Sequence, residues 1–158
     1  MSVKSIVVFG SGRSGTSFLA NLLAQNNVYT GACTQGTMEN LQVRKINEDY
    51  LAKHCNGITR SKLPYGVLPA KEIIINDEFQ TQADEFVQYM NTQITGNDSW
   101  WNDSDAYWMF KDPRSTLLHD MWTKRCDVII GVFRNPVEVV ESYMKLLEVY
   151  YPGESKEQ

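Results

Sequence analysis

Residues 5–23 read SIVVFGSGRSGTSFLANLL. A short β-branched run ends at a glycine, as a buried strand does. A helix is predicted over 15–26, with Phe18, Leu19, Leu22 and Leu23 on one apolar face. Between them lies a Gly-x-x-x-x-Gly frame, Gly10 to Gly15, followed by the hydroxyl pair Thr16 and Ser17. A strand feeding such a turn and then a helix gathers backbone N–H groups at a helix N-terminus. That geometry takes up phosphate or sulfate oxygens. Small residues let the backbone close on an anion, and Gly12, Arg13, Ser14, Gly15, Thr16 and Ser17 are the candidate binding set. Thr16 stands where a nucleoside triphosphatase carries its lysine, and the nearest positive charge is Arg13. Without that lysine and a clear acidic magnesium partner, triphosphate hydrolysis lacks its usual electrostatics. Taken alone, the stretch equally suits a tight strand–helix turn with no ligand.

The rest of the chain is consistent with one domain spanning residues 1–158. Hydrophobic residues make up 42% and charged residues 22%, the balance of an ordinary globular protein. The net charge of −4 and the absence of a basic stretch argue against nucleic acid as a partner. Three scattered cysteines (Cys33, Cys55 and Cys126) form neither a disulfide framework nor a metal-ligand spacing, so no metal is expected. They suit a reducing, cytoplasmic setting. No apolar run has the length of a membrane span, and no leader precedes the first strand, so no membrane partner is expected.

Strands and helices alternate after the first unit. A helix is predicted over 39–55, a Pro- and Gly-containing loop over 61–72, and a clean amphipathic helix over 78–94. That helix carries Phe79, Ala83, Phe86, Val87, Met90 and Ile94 on one stripe. A polar loop with Trp100 and Trp101 precedes a second strand, 106–111. Next come a helix over 116–125, a third strand over 127–133 and a helix over 136–150, entered through Pro136. The last helix repeats Val137, Val140, Met144 and Leu147, read as its core face, and the tail from Pro152 reads as frayed. The pattern predicts an α/β fold: a three-layer, P-loop-like parallel sheet flanked by helices, compact or shortened at its C-terminus.

A second segment bears on the loop. RNPVEVVESY begins with Arg134 at the end of the third strand and carries Ser142 eight positions on. Residues at the C-terminal ends of parallel strands line the ligand crevice of α/β sheets. Arg134 is therefore expected near the glycine-rich loop, facing a second anionic group, although the pair equally suits a surface arginine and an incidental helix serine.

Together, GSGRSGTSFLANLL and RNPVEVVESY resemble the two cofactor-binding segments of sulfotransferases that use 3′-phosphoadenosine 5′-phosphosulfate. The resemblance implies that the loop, through Arg13, Ser14, Gly15, Thr16 and Ser17, holds the 5′-phosphosulfate. It implies that Arg134 and Ser142 hold the 3′-phosphate. MENLQVRKINEDYL resembles the EN…N helix of a bacterial sulfotransferase group through Glu39, Asn40 and Asn47. FKDPRSTLLHDMW resembles its KDPR…W segment through Lys111, Asp112, Pro113, Arg114 and Trp122. Tyrosylprotein sulfotransferases carry a similar RSGT loop and KDP segment. Members of these groups continue further beyond the 3′-phosphate segment; here sixteen residues follow Ser142.

The activity implied is sulfuryl transfer to a hydroxyl or amine of a small-molecule, carbohydrate or peptide acceptor, with no metal. Arg13 and Lys111 are the candidates for neutralising charge on the leaving oxygen. A base must take the acceptor's proton. Glu39, Asp112 and His119 are the candidates, in that order. Glu39 also suits helix capping, and Lys111–Asp112 also suits a simple ion pair. Arg114 suits either an anionic ligand or bracing of the crevice. Trp100 or Trp101 suits stacking on an acceptor or packing at the core edge. Two other readings stay open: a nucleotide-binding remnant without turnover, and a P-loop nucleotide kinase.

Overall fold

The computed structural model describes residues 2–54, 75–96 and 105–150. The 61–72 loop, Cys55, Trp100, Trp101 and the tail from Pro152 lie outside them. Three parallel strands form the sheet in the order β2-β1-β3, with β1 Ser2–Phe9, β2 Asp105–Lys111 and β3 Val128–Gly131. The register pairs Val8 with Lys111 and Phe9 with Gly131. The C-terminal ends of all three strands therefore meet at one edge. Because β2 and β3 flank β1 on opposite sides, the chain leaves β1 at a topological switch point, where crevices open in such sheets.

Alternation along β1 sends its side chains to two apolar clusters, one on each face of the sheet. Ile6 and Val8 pack with Met109 of β2 and with Ala20 of helix α1 (Thr16–Gln25). Val7 and Phe9 join Trp108 and Phe110 on the other face, beneath helices α2 (Leu41–His54), α3 (Asp77–Thr95) and α4 (His119–Thr123). Phe86 of α3 is the hub of that face and meets Trp108, Phe110 and Trp122 edge-on. Such pairs contribute about 0.5–1.5 kcal/mol each beyond the area they bury. Helix α3 forms where its apolar period predicts. Asn76 caps it by accepting from the Phe79 amide, and Asp77 and Glu78 complement its dipole.

Several elements differ from expectation. Helix α2 starts at Leu41, not at residue 39. Asn40 is its cap, accepting from the amides of Gln42 and Val43 at 3.1 Å each. Glu39 is thus freed from the capping role. The helix expected over 116–125 is a 3-10 turn at Pro113–Thr116 followed by the five-residue α4. Asp112 stops the strand and accepts from the Arg114 amide, which favours the tight turn. β3 is shorter than predicted and ends at Gly131.

The largest difference lies in helix α5 (Pro136–Tyr150). Val137, Val140 and Met144, expected in the core, are exposed at 63%, 59% and 43%. The partly buried row is Val139, Ser142, Tyr143 and Leu146. The side chain of Leu147 lies outside the described ones. The helix carries two apolar rows, and periodicity alone does not choose between them. Helix α1 behaves similarly: Leu19 and Leu23 pack inward, while Phe18 is 75% exposed. No helix among the described residues is long and apolar enough to cross a membrane.

Candidate functional site

The loop between β1 and α1 is shaped by close approach. A Cβ on Gly10 would lie 2.7 Å from the Thr16 methyl and 2.8 Å from the Val132 carbonyl. Only glycine fits where these segments meet. Gly15, the residue before α1, has φ 101°, and Arg13 has φ 65°. A left-handed arginine costs about 1–2 kcal/mol, strain of the kind that collects at ligand sites. Ser14 is buried, and its hydroxyl donates to the Ser11 carbonyl at 2.6 Å. The Gly10 amide donates to the Thr116 hydroxyl at 3.0 Å, which ties the loop to the 3-10 turn. No side chain caps α1. The amides of Gly12, Arg13, Gly15, Thr16 and Ser17 have no acceptor among the described residues. Five uncommitted donors beside a helix N-terminus favour negative charge. Thr16 itself is buried and turns its methyl to Gly10.

Lys111, the last residue of β2, is 3% exposed and points at the start of α1. Its ammonium lies 3.4 Å from the Ser17 hydroxyl and 3.1 Å from the Thr37 carbonyl, which also accepts from Ser17. Glu39 stands 3.7 Å from the same ammonium. Burial pushes the Lys111 pKa below its ordinary 10.5, against the pull of Glu39 and Asp112. The lysine thus places a buried charged group at the first turn of α1.

Glu39 is one corner of an ionic network. Arg114 donates to Asp112 at 2.7 Å and lies 3.0 Å from Glu48 and 3.6 Å from Glu39. Arg44 completes it, 2.9 Å from Glu48 and 3.7 Å from Glu39. Burial opposes the Arg114 charge, but Asp112, Glu39 and Glu48 outweigh it and raise its pKa. Asn47, also fully buried, donates to Asp112 at 2.8 Å and to Ser115 at 2.9 Å. It accepts from the Trp122 indole at 3.0 Å. The Glu39, Asn40, Asn47 segment and the Lys111–Trp122 segment therefore interlock, and Asn40 adds its amide to the Lys111 carbonyl at 3.1 Å.

The predicted site residues take different positions. Ser17, Lys111 and Glu39 meet at the strand ends, whereas the Arg13 side chain turns to Ser142. Asp112 is wholly buried, with its oxygens taken by Arg114 and Asn47, so it braces the network and presents no free oxygen to an acceptor. Arg114 is buried with it and also braces. His119 is mostly exposed and pairs with Asp120, with no hydrogen bond to the loop among the described residues. Arg134 donates to Glu138 at 2.9 Å and to the Arg13 carbonyl at 3.2 Å. Ser142 accepts from the Arg13 guanidinium at 2.9 Å. The loop and the start of α5 are therefore in direct contact.

Sequence reasoning did not single out Thr37, Thr116, Glu48, Arg44 or Tyr143. Thr37 acts through its carbonyl and Thr116 through a contact 106 positions away, and neither leaves a sequence signal. Arg44 and Glu48 had one: opposite charges four apart on a helix. Comparison with protein-family models, curated proteins and solved structures gave no match for this chain.

Proposed function

We propose that the protein transfers a sulfuryl group from 3′-phosphoadenosine 5′-phosphosulfate to a hydroxyl or amine acceptor. The observation that carries this reading is the meeting of a buried lysine, a carboxylate and a glycine-rich strand–helix turn at one switch point: Lys111 lies 3.4 Å from Ser17 and 3.7 Å from Glu39, beside five amides with no acceptor among the described residues. A phosphosulfate fits such amides, because they supply donors without requiring a counter-cation.

The cosubstrate supplies an activated sulfuryl group whose bridging oxygen leaves on the 5′-phosphate. The loop amides orient its anionic oxygens, and the Ser17 hydroxyl joins them by exchanging its hydrogen bond to the Thr37 carbonyl. Lys111 and Arg13 are the cations that neutralise the leaving oxygen. Glu39 accepts the acceptor's proton as the new bond to sulfur forms. Of the two carboxylates considered for that role, it retains solvent access, with 14% of its side chain exposed. Asp112, Asn47 and Arg114 hold Lys111 and Glu39 in register, the positioning on which transfer chemistry depends. A 3′-phosphate at Arg134 and Ser142 would exchange with Glu138 and Arg13. The Arg134–Glu138 pair is largely exposed, so its loss costs little.

The test is calorimetric titration with adenosine 3′,5′-bisphosphate in the absence of magnesium, with ATP·Mg as control. Micromolar binding of the bisphosphate with weak ATP binding is expected. Arg134→Ala should weaken the bisphosphate far more than 5′-AMP, and Glu39→Gln should lower turnover while leaving bisphosphate affinity within about threefold. Tight ATP·Mg binding with none for the bisphosphate would overturn the reading.

A further inference from the structure

The described contacts of the 134–143 stretch with the loop run through three side chains, two of them on α5. Arg134 reaches the Arg13 carbonyl, Ser142 receives the Arg13 guanidinium, and Tyr143 lies on Gly12. The third leaves no room for a side chain at position 12. A Cβ built on Gly12 falls 1.9 Å from the Tyr143 phenol oxygen and 3.1 Å from Cζ. The phenol oxygen therefore occupies the space that any other residue at position 12 would fill with its side chain. Gly12 does not have a positive φ, so its backbone conformation does not call for glycine. What calls for it is the tyrosine.

The position of that oxygen has chemical content. The amides of Gly12 and Arg13 have no acceptor among the described residues. A phenol is an uncharged donor, and here it is held over the segment where those two amides lie. Ser142 and Tyr143 share the inward row of α5, so the same turn of helix presents both hydroxyls to the loop.

We propose that Tyr143 is a ligand-binding residue of this site, its phenol donating a hydrogen bond to the anionic group that the Gly12 and Arg13 amides take. This rests on the phosphosulfate reading and adds a residue to it. The group contacted is the loop-held one at the 5′ position, not the second phosphate assigned to Arg134. One consequence follows for selectivity. Tyr143 contributes equally to a ligand with one phosphate and to a ligand with two.

The test uses the intact protein, with adenosine 3′,5′-bisphosphate and 5′-AMP as probes. Tyr143→Phe keeps the ring on Gly12 and removes the donor. It should weaken both ligands by the same factor, about tenfold for a hydrogen bond to a charged acceptor, with an unchanged unfolding midpoint. Arg134→Ala should separate the two ligands. In Gly12→Ala the new methyl takes the place of the phenol oxygen, so it should cost a similar factor. The double variant should then lose no more than either single one. If Tyr143→Phe unfolds, the Gly12→Ala measurement decides. Wild-type affinity for both probes with no loss in Tyr143→Phe overturns this inference alone. Loss confined to the bisphosphate moves the phenol to the second phosphate and overturns it as well. A wild-type protein that binds neither probe overturns the phosphosulfate reading and this inference together.

Discussion

Replacing Arg114 by methionine tests the network beneath the site. The guanidinium is 7% exposed and serves Asp112 at 2.7 Å, Glu48 at 3.0 Å and Glu39 at 3.6 Å. Methionine fills much of the volume but leaves three carboxylates facing one another, one of them wholly buried. Removing one partner from a buried ionic cluster costs about 3–5 kcal/mol, because the charges left behind stay desolvated. One term works the other way. The Arg114 Nε is buried with no hydrogen-bond partner among the described residues, and losing that orphan donor returns about 1 kcal/mol. The net expectation is a loss of about 3 kcal/mol, or roughly 6–12 °C in unfolding midpoint for a domain of this size. Thermal and urea unfolding followed by far-ultraviolet circular dichroism measures it. Glu48→Gln in the same background should be less damaging than in the parent, with a coupling of about 1–2 kcal/mol. A midpoint shift under about 2 °C for Arg114→Met, or strict additivity with Glu48→Gln, would refute the reasoning. The arginine would then not be holding buried negative charge.

Three further outcomes are expected. Burial lowers the folded pKa of Lys111 below 10.5, so between the two values the folded state binds fewer protons than the unfolded one and stability rises as pH climbs through that interval. Lys111→Met should flatten this alkaline rise in midpoints recorded between pH 7 and about 10.5. Asp127 is the opposite case: the Ser5 amide and hydroxyl hold its carboxyl below 3.8, so its contribution is present above that value and is lost as pH falls through the lowered one. Asp127→Asn should give a shallower acid limb in the same assay. Val140→Gln sits on the outer row of α5 and should change stability by less than about 0.5 kcal/mol, whereas Phe86→Ala, at the aromatic hub, should cost about 3–5 kcal/mol. Urea midpoints of the two variants compare them directly.

Local chemistry settled much of this protein before any fold was known. The β-branched run before Gly10, the small residues of the loop and the apolar stripe of α3 each depend on neighbours within a few positions. Strand, turn and helix follow from such short-range terms. The same holds for the alternation of elements that implies a parallel sheet, and for the siting of Lys111 at the end of β2. Distances that cross the chain were not legible. That Asn47 seals in Asp112 and that Thr116 holds Gly10 both depend on segments brought together from far apart. Helix α5 shows the limit most plainly. Val137–Val140–Met144 and Val139–Tyr143–Leu146 are both helical rows, and the choice between them was made by what the loop offered. Gly12 left room for a phenol oxygen and Arg13 offered a donor to Ser142, so the helix turned those residues inward and left its other apolar row facing solvent. Periodicity is a property of one helix, whereas which face is buried is a property of the surface it meets.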